Sequence, residues 1–351
     1  MFNPQYKLTD KIVNMLTAIA EAKVVIEHAK LLPKHELKLR RQALIRMTHS
    51  STGIEGNQLN IHQVEAVYKH EKIEAHPRDI FEVQNYLKAL RYIEQAVEKK
   101  QRLTQRTILK IHKLVTDKTL LDEQCGHYRT GPIYVVRRRL GFPQETLYTG
   151  PPAKEVLKLI TDLVAWIKQS KEKDIHPIIV AGVVHQEIAA IHPFTDGNGR
   201  TARALATLIL YQRGYDFRRL FALEDYYNKD RPKYYQAINI GKNYKERRTD
   251  FTPWLEYFVN GFNKEIDNIN AKVKSLSLKR INKKIQSQIY LNPNQLKILD
   301  FLDQVGRITV KDVIDILECP RRTAQAQLQR LKKLEIITQV CKGPASGYIL
   351  S

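Results

Sequence analysis

His192-Pro193-Phe194-Thr195-Asp196-Gly197-Asn198-Gly199-Arg200-Thr201-Ala202-Arg203 is the stretch on which the reading of this chain turns. Gly197 and Gly199 let the backbone bend so that successive N–H groups converge. The apolar residues Ala204, Leu205, Leu208 and Ile209 predict that a buried helix follows at once. A glycine-bent loop entering a helix is an anion site, because the first helical N–H groups lack intrahelical partners. Upstream, Pro177 opens a helix through Val180, Val184 and Ile188, and Pro193 ends it near Ile191 by biasing His192 toward extended backbone. His192 is therefore expected just past a helix end. Downstream, Gly214 should stop the second helix near Arg213.

The side chains of this loop form a chemical set. His192 has an ordinary pKa of about 6.5 and suits a general base; read alone, it would be a structural histidine. Asp196 offers one hard oxygen ligand before a glycine turn, suited to magnesium held jointly with substrate phosphates, or else to an Asx turn. Arg200 and Arg203 lie three apart on the new helix, share a face, and can both reach a phosphate chain, unless they simply form a solvated face. Base, metal ligand, N–H cradle and paired arginines together fit attack of a hydroxyl on a nucleotide phosphate. The chain has no G-x-x-x-x-G-K-[ST] P-loop and no kinase lysine with H-R-D, and its glycines are too close for a dinucleotide fingerprint.

At 351 residues with 43% apolar content, the chain is long enough for two domains, or three with one small. Its longest apolar run, Ile178 to Val184, is far short of the roughly 20 residues that cross a bilayer. No membrane partner is expected, and a start lacking a secretory pattern points to the cytoplasm. Cys125, Cys319 and Cys341 are too scattered for a disulfide framework or zinc ribbon. The net charge of +21 favours anionic partners, although the lysines are dispersed.

Apolar residues recur at helical spacing from Leu8 to about Lys72, including Ile12, Met15, Leu16 and Ile19. Further helices are expected from Pro77 through Ile93 and from Ile108 to Thr116. Between Tyr128 and Pro152 the texture changes to Gly131, Pro132, Gly141, Pro143, Gly150 and Pro151 around the β-rich runs 133–136 and 146–149, which predicts a hairpin. The stretch 263–290 reads as a linker helix. In 291–351, helices are expected at 295–303, 310–317 and 320–334, followed by strands 336–340 and 348–350 across a turn at Gly343 to Gly347. That is a winged helix-turn-helix layout.

The segment His192 to Arg203 matches H-P-F-x-[DE]-G-N-G-R-x-x-R without a gap, and the chain thereby resembles the Fic family. The resemblance implies a mainly α protein: an all-helical Fic fold over 103–262 with a short β-hairpin flap, an N-terminal helical region over 1–102 and the C-terminal unit. It also implies AMP transfer from ATP to a hydroxyl side chain of a target protein. In that scheme His192 deprotonates the hydroxyl, Asp196 holds Mg2+, and Gly197, Asn198 and Gly199 form the anion hole. Arg200 and Arg203 grip the phosphates, and Phe194 anchors the loop. Ser51-Thr52-Gly53-Ile54-Glu55-Gly56 fits the [ST]-x-x-x-E-[GN] pattern of the family's inhibitory helix, with Glu55 expected to pair with Arg203 in a charge-assisted bond that can engage both oxygens; the plain alternative is a helix-terminal glutamate before a turn. The 128–148 hairpin corresponds to the target-binding flap. Tyr234-Tyr235-Gln236-Ala237-Ile238 resembles the stretch bordering adenine, with Tyr235 and Ile238 as contacts. Lys242 stands where the family has asparagine, and Asn243 is a substitute after a one-residue shift.

Other readings stay open from the residues alone. Arg321, Arg322, Gln325, Gln327, Gln329 and Arg330 have the character of a helix that enters a DNA major groove, although 292–351 carries nine Lys or Arg against six Asp or Glu. A transcription regulator with a nucleotide-sensing site is one alternative; a Fic enzyme that removes AMP, or uses another nucleotide donor, is a second. The target carries a Tyr, Thr or Ser hydroxyl, self-modification included, and a homodimer that governs Glu55 is a further expectation.

Overall fold

The computed structural model describes residues 2–137, 145–281, 291–334, 336–340 and 347–350. The fold is mainly helical, with two small antiparallel hairpins. The N-terminal region forms α1 (Asp10–His28), α2 (Pro33–Ile54), α3 (Ile61–Tyr68), α4 (Pro77–Glu98) and α5 (Gln105–Thr116). Local sequence explains the starts. Thr9, Asn60, His76 and Thr104 each accept a first-turn N–H, and α2 and α4 begin with proline at the helix start.

Strands β1 (Tyr134–Arg137) and β2 (Glu145–Thr149) pair antiparallel with a bulge between Val135 and Val136. Gly141 and Pro143 lie outside the described residues. Then come α6 (Ala153–Glu172), α7 (Pro177–Ile191), α8 (Asn198–Gln212), α9 (Leu223–Lys229), α10 (Arg231–Ile238) and α11 (Thr252–Ile281). Nearly every residue of α7 is buried, so this helix runs through the main core, packed on α8, α6 and α11. Gly182 makes the α7–α11 approach possible: a Cβ there would stand 2.8 Å from Leu255 Cδ2, and Trp254 Nε1 donates to the Gly182 carbonyl at 2.7 Å.

One expectation needs correction. His192 is left-handed, at φ 49° and ψ 58°, rather than extended. Its N–H closes onto the Ile188 carbonyl at 3.0 Å, a helix-ending bond that wins over the bias from Pro193. The stretch 263–281 is helical, as expected, and continues α11. The helix is unbroken from Thr252, and Ile266, Ile269 and Val273 are buried in the main core because α1 packs along α11. Residues 282–290 lie outside the described residues.

The C-terminal unit comprises α12 (Pro293–Val305), α13 (Val310–Leu317), α14 (Arg321–Lys333), β3 (Ile337–Val340) and β4 (Gly347–Leu350), close to the spans expected from sequence. It has its own cluster, built from Ile298, Leu299, Leu302, Ile308, Val313, Leu328 and Leu331. Leu37 of α2 is buried in the same cluster, and Lys297 pairs with Glu98 at 2.7 Å. Residues 341–346, including Cys341 and most of the expected turn, lie outside the described residues; Cys125 and Cys319 are free. Among the described residues no helix is long and apolar enough to cross a membrane.

Candidate active site

The loop 192–197 joins the end of α7 to the start of α8, and its shape is held from within. Phe194 is fully buried and stacks on His112 at 3.7 Å between ring centres. Asn198 folds its amide back over the loop, accepting from the Phe194 N–H at 2.9 Å and donating to the Phe194 carbonyl at 2.8 Å. Gly197 takes the left-handed conformation at φ 76°, and a Cβ there would stand 2.7 Å from Thr116 Cγ2. Gly199 does not supply a bend; it lies in the first turn of α8, where its lack of a side chain leaves space that the Glu55 carboxylate fills. The cap of α8 receives no side-chain bond, so its first N–H groups are free to face an anion.

His192 Nδ1 lies 3.0 Å from the Ala189 carbonyl. A carbonyl only accepts, so Nδ1 carries the proton and Nε2 presents its lone pair. Burial pushes the His192 pKa below 6.5, outweighing the Ala189 contact and Glu55, which favour the charged form. The ring is thereby kept neutral near pH 7.

Arg203 and Glu55 meet as expected. Arg203 Nη2 donates to Glu55 Oε1 at 2.7 Å and to the Ser51 carbonyl at 2.8 Å, while its Nε donates to Ser51 Oγ at 2.8 Å. One Glu55 oxygen is engaged rather than two. The remaining nitrogen, Nη1, is buried beside Gly199 with no hydrogen-bond partner among the described residues. Glu55 is at once the C-cap of α2, before Gly56 at φ 100°, and the partner of Arg203.

Arg200 departs from the expectation. Instead of sharing a free face with Arg203, it is buried with Glu82 and Asp196, each 3.5 Å away, and the Val115 carbonyl at 3.4 Å. Side chains three apart diverge by about 60° around a helix, enough here to put one guanidinium against α4 and α5 and the other against α2. Asp196 is surrounded: Oδ2 accepts from Arg78 at 3.0 Å and Oδ1 from the Gly197 N–H at 2.6 Å. Among the described residues no group of three or more His, Cys, Asp or Glu gathers as a metal cage. A single, partly open carboxylate nevertheless fits Mg2+, which takes most of its ligands from water and phosphate.

Tyr235 stands at the same mouth, its hydroxyl donating to the Ile54 carbonyl at 2.9 Å. Ile238 ends α10, packs on the main core and accepts from Gln186 at 3.3 Å through its carbonyl. Lys242 contributes only its carbonyl, to Thr149 N–H at 2.9 Å, and the Asn243 side chain is occupied in a turn with Glu246.

Three further residues escaped sequence reasoning. His112 takes the Gly126 N–H on Nδ1 at 2.9 Å and faces the Asp196 carbonyl with Nε2 at 3.0 Å, and burial lowers its pKa to about 4. Arg129 donates to the carbonyls of His192 at 2.8 Å, Gly131 at 2.8 Å and Pro151 at 2.6 Å, stapling the loop to both feet of the hairpin. Arg78 is the third, bound to Asp196 and, at 3.1 Å, to Glu82. The only sequence cue was the i, i+4 pair Arg78–Glu82 behind Pro77.

The central helix pair thus brings a neutral histidine and an open helix start together over one loop, an arrangement able to face an anion. Residues 102–210 of the chain match the Fic/DOC family. The chain is similar to proteins named protein adenylyltransferase Fic from Drosophila grimshawi, 27% identical over 59% of this chain and 39% of that protein, and Nematostella vectensis, 28% identical over 67% and 52%. The chain thus spans about half the length of these relatives or less. A solved Fic family protein from Desulfovibrio desulfuricans G20 is similar over 100% of this chain and 98% of its own, at TM-score 0.63 and 25% identity.

Proposed function

We propose that this protein transfers AMP from ATP to a hydroxyl side chain of a target protein, and that Glu55 holds it in a restrained state. The carrying observation is the neutral His192 ring, its Nε2 lone pair unprotonated, at the mouth of the loop that leads into the first turn of α8. In the reaction His192 Nε2 takes the hydroxyl proton while that oxygen bonds to the α-phosphorus. The bond from the α-phosphorus to the bridging oxygen breaks, and pyrophosphate leaves. The first N–H groups of α8 and Arg203 Nη1 face the phosphate charge. Asp196 would hold Mg2+, which neutralises phosphate charge when bound. Arg200 and His112 hold Asp196 from behind rather than touching substrate. The β1–β2 hairpin, stapled by Arg129 and by the Tyr148 hydroxyl on the Ala190 carbonyl at 2.7 Å, would present the target segment by strand-like pairing.

In the restrained state Arg203 is committed to Glu55 and Ser51, and the Glu55 carboxylate fills the space over Gly199. Both act against a triphosphate. The test is transfer of label from ATP labelled at the α-position, with and without Mg2+. Glu55→Gly should raise it and His192→Ala abolish it. Label from the γ-position instead, or nucleotide binding without transfer in any variant, would refute the reading; the latter would favour the sensing regulator.

A further inference from the structure

The C-terminal unit has no part in that chemistry, and its charge is distributed in a way that the total conceals. Over 292–351 the surplus is only three, nine bases against six acids. The fold gathers five of the nine bases away from the acids. Arg321, Arg322, Arg330, Lys332 and Lys333 all lie on α14, which carries no acid, whereas Asp300, Asp312, Asp315 and Glu318 lie on α12, on α13 or in the turn after it. Ala324, Leu328 and Leu331 turn one stripe of α14 into the cluster against α12 and α13. The broad remaining face, with Arg321 at one edge, Arg330 at the other and Arg322, Gln325 and Gln329 between, is exposed. Arg321, Arg322 and Arg330 make no ion pair with any described residue. The turn from α13 to α14 is three residues, Glu318 being left-handed at φ 48°, so the two helices form a tight pair.

We propose that this face of α14 binds duplex DNA, the helix lying in the major groove. A 13-residue helix is about 20 Å long, and the major groove, about 12 Å wide, admits it. The arginines and lysines meet phosphates. Gln325 and Gln329, one turn apart between them, bring amides able to pair with an adenine edge, a feature of no use on a purely acidic surface. No large apolar side chain of α14 is exposed, which removes the second anchor a lipid surface would need.

The test uses the full chain and a fluorescent 30-base-pair duplex of mixed sequence, read by anisotropy and independent of nucleotide transfer. Five phosphate contacts give a slope of log affinity on log salt of about −4.5, a loss of about 500-fold between 50 and 200 mM salt. The triple variant Arg321→Glu, Arg322→Glu, Arg330→Glu should make that slope shallower by about 3 and leave thermal melting unchanged. A second triple variant on α6, Lys154→Glu, Lys158→Glu, Lys168→Glu, should leave binding within about twofold, judged against the same slope. Absence of binding at micromolar protein and 50 mM salt would overturn the proposal. So would equal weakening by the two triple variants, or displacement of the duplex by an equal charge of polyglutamate or anionic vesicles.

Discussion

Replacing Glu55 by glutamine separates two ways in which α2 can restrain the site. Glutamine keeps the length and the volume over Gly199 but removes the charge that holds Arg203 Nη2 at 2.7 Å. A hydrogen bond to a charged partner contributes about 1.5–3 kcal/mol; glutamine still meets the charged Arg203 but loses the ion–ion attraction, which moves the bond from the top of that range to its foot and weakens the latch by about 1.4 kcal/mol, or tenfold. Glycine removes the remaining bond and the obstruction, worth about another 1 kcal/mol or more. Because apparent nucleotide affinity scales with the fraction of open molecules, initial labelling rates at low ATP should rank glycine above glutamine above the unaltered protein. Glutamine should lie about tenfold above the parent and glycine at least about fivefold above glutamine. The helix itself stays docked in both variants, since Arg46 and Ser50 hold Asp225 at 2.8 and 2.6 Å and Tyr235 holds the Ile54 carbonyl. Equal rates for glutamine and glycine would show that the volume over Gly199 is irrelevant. Glutamine at the parental rate would show the same of the charge. Either result refutes the combined latch.

Other outcomes follow from the same geometry. The His192 pKa is depressed by burial, so its basic form persists to lower pH, and single-turnover labelling should reach half its plateau below pH 6.5; a midpoint above 6.5 contradicts the buried neutral base. His112 binds its proton more weakly folded, at about 4, than unfolded, at 6.5, so its contribution of about 3 kcal/mol is complete above pH 6.5 and fades as pH falls toward 4. Urea midpoints at pH 7 and pH 5 should therefore differ less for His112→Asn than for the parent. Arg78 competes with a cation for Asp196, so Arg78→Ala should tighten Mn2+ binding by about two- to fivefold, measured by paramagnetic resonance without nucleotide; unchanged affinity would show that the contact is idle.

How much of this was legible in the sequence depended on how local the cause was. Helix starts at Pro77 and Pro177, the left-handed Gly197 and Gly214, and the buried anchor Phe194 are written within a few residues of where they act. The Glu55–Arg203 pair was legible only because two motifs were read together, since 148 residues separate them. Arg78 and Asp196 lie 118 apart, and Arg129 and His192 lie 63 apart, with no short pattern to join them; an arginine that staples carbonyls looks like any other in a basic chain. The backbone of His192 was misjudged because the rule for residues before proline ignores the closing bond to Ile188. The run 263–273 looked polar because α11 is polar on its outer side, and its inner stripe of Ile266, Ile269 and Val273 is too sparse to mark a core helix without α1 in place.

Leu37 and Glu55 are the two ends of one such long-range relation. They lie eighteen residues apart on or at the end of α2, about 27 Å along a rod with no proline between them. One end is sewn into the hydrophobic cluster of the C-terminal unit and the other lies across the first turn of α8. A protein cut after residue 281 would leave Leu37 bare and Glu98 without Lys297. The far end of α2 would then be tied to the rest of the fold through the Glu36–Arg218 pair, without the apolar cover over Leu37, so a fragment and the whole chain would hold Glu55 on differently anchored helices.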